Sequence, residues 1–187
     1  MMSQNCDFLH KKESIMLMIL FGLAGAGKTY VGKLLAKNFD LHFEDADDWI
    51  TEDMRAAIEQ GQPFFSEKMR DDFTKVMIAN IKQLLKKGHK NIVIAQALYR
   101  QKNRVQILDA FPDAIFAHVD ASDEIIMQRL VARGGKVNLE FADLIKEHFE
   151  LMPGSLVINN NEDGGRPVLS SEHIEKAFLP KGQVMNE

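Results

Sequence analysis

A single cysteine, Cys6, stands in a chain of 187 residues. No disulfide can close within it, and a reducing compartment is the expected setting. Cys6 lies in a polar leader with no basic or metal-binding neighbour, so it reads as an ordinary thiol rather than a nucleophile. A basic excess is missing as well: the formal net charge of −4 speaks against a general nucleic-acid binder. The histidines (His10, His42, His89, His118, His148 and His173) show no metal-ligand spacing with one another or with Cys6. The apolar run from Ile15 to Ala26 is twelve residues, short of the roughly twenty needed to span a bilayer. Lys11 and Lys12 in front of it imitate the charged flank of a signal peptide, but cleavage near Ala24 would cut through a glycine-rich loop. A first strand followed by that loop accounts for both features, so no membrane partner and a cytoplasmic location are expected. Repeats, low-complexity tracts and long linkers are all missing.

What is present is a chain 45 % hydrophobic, long enough to bury about 70 % of its unfolded surface in one domain. Residues 1–13 read as a flexible extension, 14–179 as the domain and 180–187 as a tail. Apolar stretches alternate with amphipathic ones, the pattern of an α/β fold with a parallel sheet. Expected strands are Met16–Phe21, Leu41–Glu44, Asn91–Ala95, Ala114–Val119 and Leu156–Asn159. Expected helices are Lys28–Asn38, Asp47–Glu59, Glu67–Lys87, Gln101–Ala110, Asp123–Ala132, Leu139–Phe149 and Ser171–Ala177. A five-stranded parallel sheet should leave its ligand crevice outside the carboxyl ends of the strands.

The first strand runs into Gly22-Leu23-Ala24-Gly25-Ala26-Gly27-Lys28-Thr29. This spacing, Gly-x4-Gly-Lys-Thr, is the P-loop pattern. Glycines let the backbone curl around a phosphate, the N–H groups turn inward, and the next helix adds its positive end. Lys28 would set an ammonium against the β- and γ-phosphates, and the Thr29 hydroxyl would ligate Mg²⁺. The loop points to a nucleoside triphosphate.

Three further stretches lie where strand ends or helix starts could serve that loop. Asp45 and Asp47 follow the second strand, whose end is expected to neighbour the first. One could hold a Mg²⁺-bound water while the other accepts a proton from an attacking hydroxyl. An acid-rich helix N-terminus is the alternative. Arg70 sits one turn into the helix that Ser66 starts, and its fork could pair with a substrate carboxylate or phosphate. A surface ion pair with Glu67, Asp71 or Asp72 would explain it equally. Arg129 and Arg133 share a helix face, and Gly134 and Gly135 beyond them suit a lid over about 133–140 that delivers Arg133 to the transferring group. A solvated basic helix end competes with that reading. Gln96, Tyr99 and Arg100 follow the third strand, Asp120 the fourth and Asn159 to Asn161 the fifth. Lys82, Lys86, Lys87, Lys90, Arg100, Lys102 and Arg104 read as solvated helix surface, with a local basic face as the alternative.

The P-loop, Asp45-x-Asp47, Gly61-x-Pro63-Phe64, Ala95-x-Ala97-Leu98, Arg129-Leu-x-x-Arg133 and a Phe149 ahead of a Pro153 turn together resemble the gluconate kinases. More distantly the chain is similar to shikimate and nucleoside monophosphate kinases, over roughly residues 16 to 178. The resemblance implies a three-layer P-loop kinase fold with a mobile lid. It also implies a small hydroxy acid as acceptor, gluconate foremost, with shikimate or a nucleotide as alternatives, and a place in carbohydrate metabolism. It implies that ATP is bound by Gly22 through Thr29 and by Arg129 at the adenine, with Mg²⁺ at Thr29 and, through water, at Asp45. Lys28, Asp47 and Arg133 would be catalytic, and Asp47, Arg70, Gln96 and Arg133 would meet the acceptor. Asn159 to Glu162 would edge the adenine. A homodimer is compatible with the same resemblance. Departures fall on the acceptor side: Trp49-Ile50 replaces His-Pro, Tyr99-Arg100 stands where Lys is usual, and Gly134-Gly135-Lys136 alters the lid. Shikimate kinases place a run of glycines where this chain has Ala95-Gln96-Ala97. A P-loop switch, the alternative of another class, lacks its Asn-Lys-x-Asp motif here, and a nucleic-acid end kinase fits the acidic balance poorly.

Overall fold

The computed structural model describes residues 15–60, 66–133 and 139–161. The expected extension 1–13, Gly61 to Phe65, the lid residues 134–138, the helix at Ser171–Ala177 and the tail 180–187 lie outside the described residues.

The five strands are β1 (Met16–Phe21), β2 (His42–Asp45), β3 (Asn91–Ala95), β4 (Ile115–Asp120) and β5 (Leu156–Asn159). They form one parallel sheet in the order β2-β3-β1-β4-β5. β1 lies in the middle because it has no polar residue to expose: Leu17 through Phe21 are buried. Alternation along the strands then feeds two cores. On one face Leu17, Ile19 and Phe21 join Ile92, Ile94 and Phe116. They meet Phe73, Met77 and Ile81 of α3 (Glu67–Lys86) and Ile107 of α4 (Gln101–Ala110). On the other, Met18, Leu20, Val93, Ala117 and Val119 pack under Val31 and Leu35 of α1 (Lys28–Phe39). Helices on both faces of a parallel sheet make three layers.

Most element bounds fall within a residue of the expected ones, the usual uncertainty at helix and strand ends. Two differences are larger. The helix expected over Asp47–Glu59 is split into a 3₁₀ turn, Ala46–Trp49, and α2, Glu52–Glu59. The Asp45 side chain accepts from the Asp47 N–H at 3.2 Å and caps a short turn. Ile50 is then extended at φ −61°, ψ 119°, and the Thr51 hydroxyl accepts from the Met54 N–H at 3.3 Å to restart the helix. The helix expected to reach Phe149 is α6, Leu139–Glu147. Phe149 instead turns inward and stacks on Phe21 and His118, with ring centroids 6.1 and 5.1 Å away. A third helix end, α5 (Asp123–Ala132), is capped by the Ser122 hydroxyl. It sets Ile126 and Leu130 against Leu23 and Ala24 of the glycine loop.

β2 does not neighbour β1, as the sequence suggested; β3 lies between them. Ile92 through Ala95 of β3 are buried, whereas every residue of β2 is partly exposed. The more apolar strand takes the interior position and the acidic one the edge.

Candidate active site

The glycine loop leaves β1 at Gly22, φ +149°, where a Cβ would meet the Val119 carbonyl oxygen at 2.3 Å. It enters α1 through Gly27, φ +92°, where a Cβ would lie 2.2 Å from Nδ2 of Asn160. These two positions therefore admit glycine alone, for backbone shape and for space. The Lys28 ammonium folds back over the loop and donates to the carbonyls of Gly22 and Leu23 at 3.0 and 2.9 Å. Burial pushes its pKa down to about 8, against the pull of Asp47 and Asp45, and Arg133 pushes the same way as burial.

Asp45 and Asp47 have different hydrogen-bond partners. Asp45, at the end of β2, accepts a hydrogen bond from the Thr29 hydroxyl at 2.8 Å. Asp47 turns to β3, where Nε2 of Gln96 donates to its Oδ1 at 2.9 Å. The Gln96 amide is oriented by its own backbone, since its Oε1 accepts from the Ala97 N–H. Only the amide nitrogen is then left to face the carboxylate. Burial raises the pKa of Asp47; the Gln96 donor opposes that shift, and Asp45 adds to it.

The acids on the Arg70 helix turn have lysine partners. Asp72 is engaged by Lys68 and Lys75, and Glu67 and Asp71 by Lys102 of α4. Arg70 Nη1 donates to the Tyr99 hydroxyl at 2.6 Å, with its guanidinium 5.2 Å from the ring centroid. Arg129 reaches the back of the glycine loop, 2.9 Å from the Asn160 carbonyl and 3.4 Å from those of Gly25 and Ala26. Arg133 ends α5 and is exposed.

A cavity of about 230 Å³ gathers most of these groups. It is lined by Ala24, Gly25, Gly27, Lys28 and Thr29 of the glycine loop, by Asp45, Asp47 and Gln96 at and just past the ends of β2 and β3, and by Arg70, Tyr99 and Arg133. Of the expected site residues, Gly22, Leu23, Ala26 and Arg129 are not among its lining. Gly22, Leu23 and Ala26 shape the loop, and Arg129 braces it from behind.

Sequence reasoning gave no role to Asn103, Phe73 and Thr74 and placed Tyr99 past a strand end without assigning it to the site, although all four line the cavity. Tyr99 had a usable signal, its place just past the third strand. Phe73 read as core, and it is buried as well as lining the site. Asn160 is buried and donates to the Ala26 carbonyl at 2.8 Å, tying the segment after β5 to the loop. Asp120 stays out of the cavity lining, its carboxylate capping the Ala121 N–H at 3.0 Å. The reading of Arg104 as solvated surface is corrected outright: the side chain is fully buried.

A parallel sheet of this order, with a glycine loop and a conjoined acidic and cationic cavity at its carboxyl edge, defines a P-loop phosphotransferase. The chain belongs to the shikimate kinase family, whose model, described as Shikimate kinase, matches residues 24–152. It is 26 % identical to a probable gluconokinase of Xenopus tropicalis over 64 % of this chain and 70 % of the relative. It is also 26 % identical to a gluconokinase of Arabidopsis thaliana over 87 % of this chain and 82 % of the relative. The fold matches that of a gluconokinase from Sinorhizobium meliloti 1021 with a TM-score of 0.67 at 15 % identity, over 87 % of this chain and 89 % of the other. The protein is an ATP-dependent small-molecule kinase. No helix among the described residues is long and apolar enough to cross a membrane.

Proposed function

We propose that this kinase phosphorylates a hydroxyl of a small hydroxy acid, with a sugar acid such as gluconate as the leading acceptor. The observation that carries the reading is that Asp47 and Arg70 line one cavity with Lys28 and Thr29. In this reading the acceptor's carboxylate meets the Arg70 guanidinium, and its hydroxyl meets Asp47, which holds or takes the proton as the oxygen attacks. The raised pKa of Asp47 suits that task, because a base nearer neutrality accepts a proton more readily. Gln96 fixes the direction of the carboxylate. Lys28 swings from the carbonyls it now holds to the transferring phosphate, and Arg133 adds a second cation from above. Two relatives named as gluconokinases support the sugar-acid choice.

Magnesium fits the donor set at Thr29 and Asp45, a hydroxyl and a carboxylate oxygen already 2.8 Å apart. Both are hard oxygen donors of the kind that ion takes, directly or through water. When bound, it neutralises charge on the phosphates. A cytoplasmic setting accords with such a metabolic role.

With D-gluconate as acceptor, Arg70→Ala should raise the acceptor KM by roughly ten- to a hundredfold, since charge-assisted hydrogen bonds are worth about 1.5–3 kcal/mol. Asp47→Asn should lower kcat by about 10² or more, because an amide cannot take the proton. Arg70→Ala with an unchanged acceptor KM, or Asp47→Asn with unchanged kcat, would remove the respective residue from this scheme.

A further inference from the structure

Arg104 lies on α4 with no exposed surface. Its Nη1 donates to the Leu98 carbonyl and its Nη2 to the Glu150 carbonyl, each at 2.5 Å. The guanidinium lies over the Phe21 ring, 4.6 Å from the centroid. Its Nε makes no hydrogen bond among the described residues. Two carbonyls do not neutralise a buried charge, and burial holds its pKa down to about 10. Apolar residues of similar volume commonly serve stability at least as well in such places. Packing alone therefore gives no reason for an arginine here.

The two carbonyls it holds belong to two segments far apart in the chain, and Arg104 bonds to both. Leu98 stands at φ +39°, an uncommon conformation for a residue with a Cβ. Tyr99, next in the chain, presents its hydroxyl to Arg70 at 2.6 Å. Its carbonyl accepts the Glu150 N–H at 2.9 Å. Glu150 follows α6, whose Ile145 lines the cavity. The Glu150 carboxylate in turn accepts from Arg100 at 2.8 Å and from the Gln101 N–H at 2.6 Å. Arg104 thus closes a ring through Leu98, Tyr99 and Glu150.

We propose that Arg104 is a positioning residue for the acceptor end of the cavity. It holds the Leu98-Tyr99 turn so that the phenol meets Arg70, and it fastens that turn to the segment after α6. The inference rests on the acceptor reading above, but its first test needs no acceptor. Hydrogen exchange on the ligand-free protein should show residues 97–101 and 148–152 exchanging faster together in Arg104→Lys, by about tenfold, with β1 and β3 unchanged. With D-gluconate and Mg-ATP, the same variant should raise the acceptor KM about tenfold while the ATP KM stays within about twofold. Tyr99→Phe cuts the far end of the connection: it should raise the gluconate KM without loosening 148–152. Arg104→Met, should it fold, should behave as the lysine variant does; should it not, the lysine and Tyr99 variants decide. Unchanged exchange in the two segments, or faster exchange throughout the sheet, would overturn the proposal. Failure of the wild type to use gluconate would instead tell against the acceptor reading and leave the exchange result standing.

Discussion

At the scale of single residues, the chemistry concentrates on two groups whose charge the protein has displaced. Asp47 is desolvated beside Gln96 and Asp45, and its pKa is raised. It is therefore protonated at a higher pH than an ordinary aspartate, and turnover should fall as pH drops through its pKa. The Gln96 N–H favours the carboxylate form. Gln96→Leu removes that donor, so the acid limb of the kcat profile should move to higher pH while the alkaline plateau is retained; an acid limb that stays in place would show that Gln96 does not tune Asp47. Lys28 is displaced the other way, to about 8. Its ammonium is present below that pH and is lost above it, so the ATP dissociation constant should climb towards tenfold per unit as pH rises past about 8. Lys28→Arg stays charged throughout and should flatten that dependence in calorimetric titrations, even if its affinity is lower. A wild-type affinity level from about pH 7.5 to 9.5 would contradict the role given to Lys28.

At the scale of elements, the chain declared its strands and helices through periodicity and hid the places where one side chain redirects the backbone. The run Ile92-Val93-Ile94 could hardly be anything but a buried strand. The break between the 3₁₀ turn and α2 was not legible, because it depends on the Asp45 carboxylate reaching the Asp47 N–H as well as the Thr29 hydroxyl. Arg104 misled for a related reason. A basic residue on a polar helix reads as surface, and only the Leu98 and Glu150 carbonyls, 6 and 46 residues away, account for its burial. Gly32 of α1 offers a direct test of element packing. A Cβ there would come within 2.3 Å of the Phe43 ring and 3.3 Å of Leu20 Cδ1. Alanine gains about 1 kcal/mol of helix propensity over glycine, but crowding in a packed layer costs about 1–3 kcal/mol. Gly32→Ala should therefore lower Tm by up to a few degrees, at about 2–4 °C per kcal/mol. A Tm raised by the substitution would mean that α1 and β2 pack less closely than described.

At the scale of the whole molecule, strand order decides what the cavity can contain. β3 between β1 and β2 places Gln96 beside the glycine loop and brings Asp45 and Asp47 in from the edge strand. The loop, both aspartates and Arg133 could be picked out in the sequence because each lies at a strand end or a helix end, and Arg70 because it sits one turn into the helix that Ser66 starts. Asn103 of α4 reaches the lining through tertiary packing of α3 against α4, which no local pattern displays, whereas Tyr99 had its place just past β3 as a signal. The most direct measurement is phosphorus NMR of wild-type protein with Mg-ATP and, in parallel, D-gluconate, shikimate, a neutral hexose and a nucleoside monophosphate. The account predicts a new phosphomonoester signal with ADP formation, strongest for gluconate and absent when Lys28 is replaced by Ala. ADP release indifferent to every acceptor, or fastest transfer to the nucleotide, would contradict it.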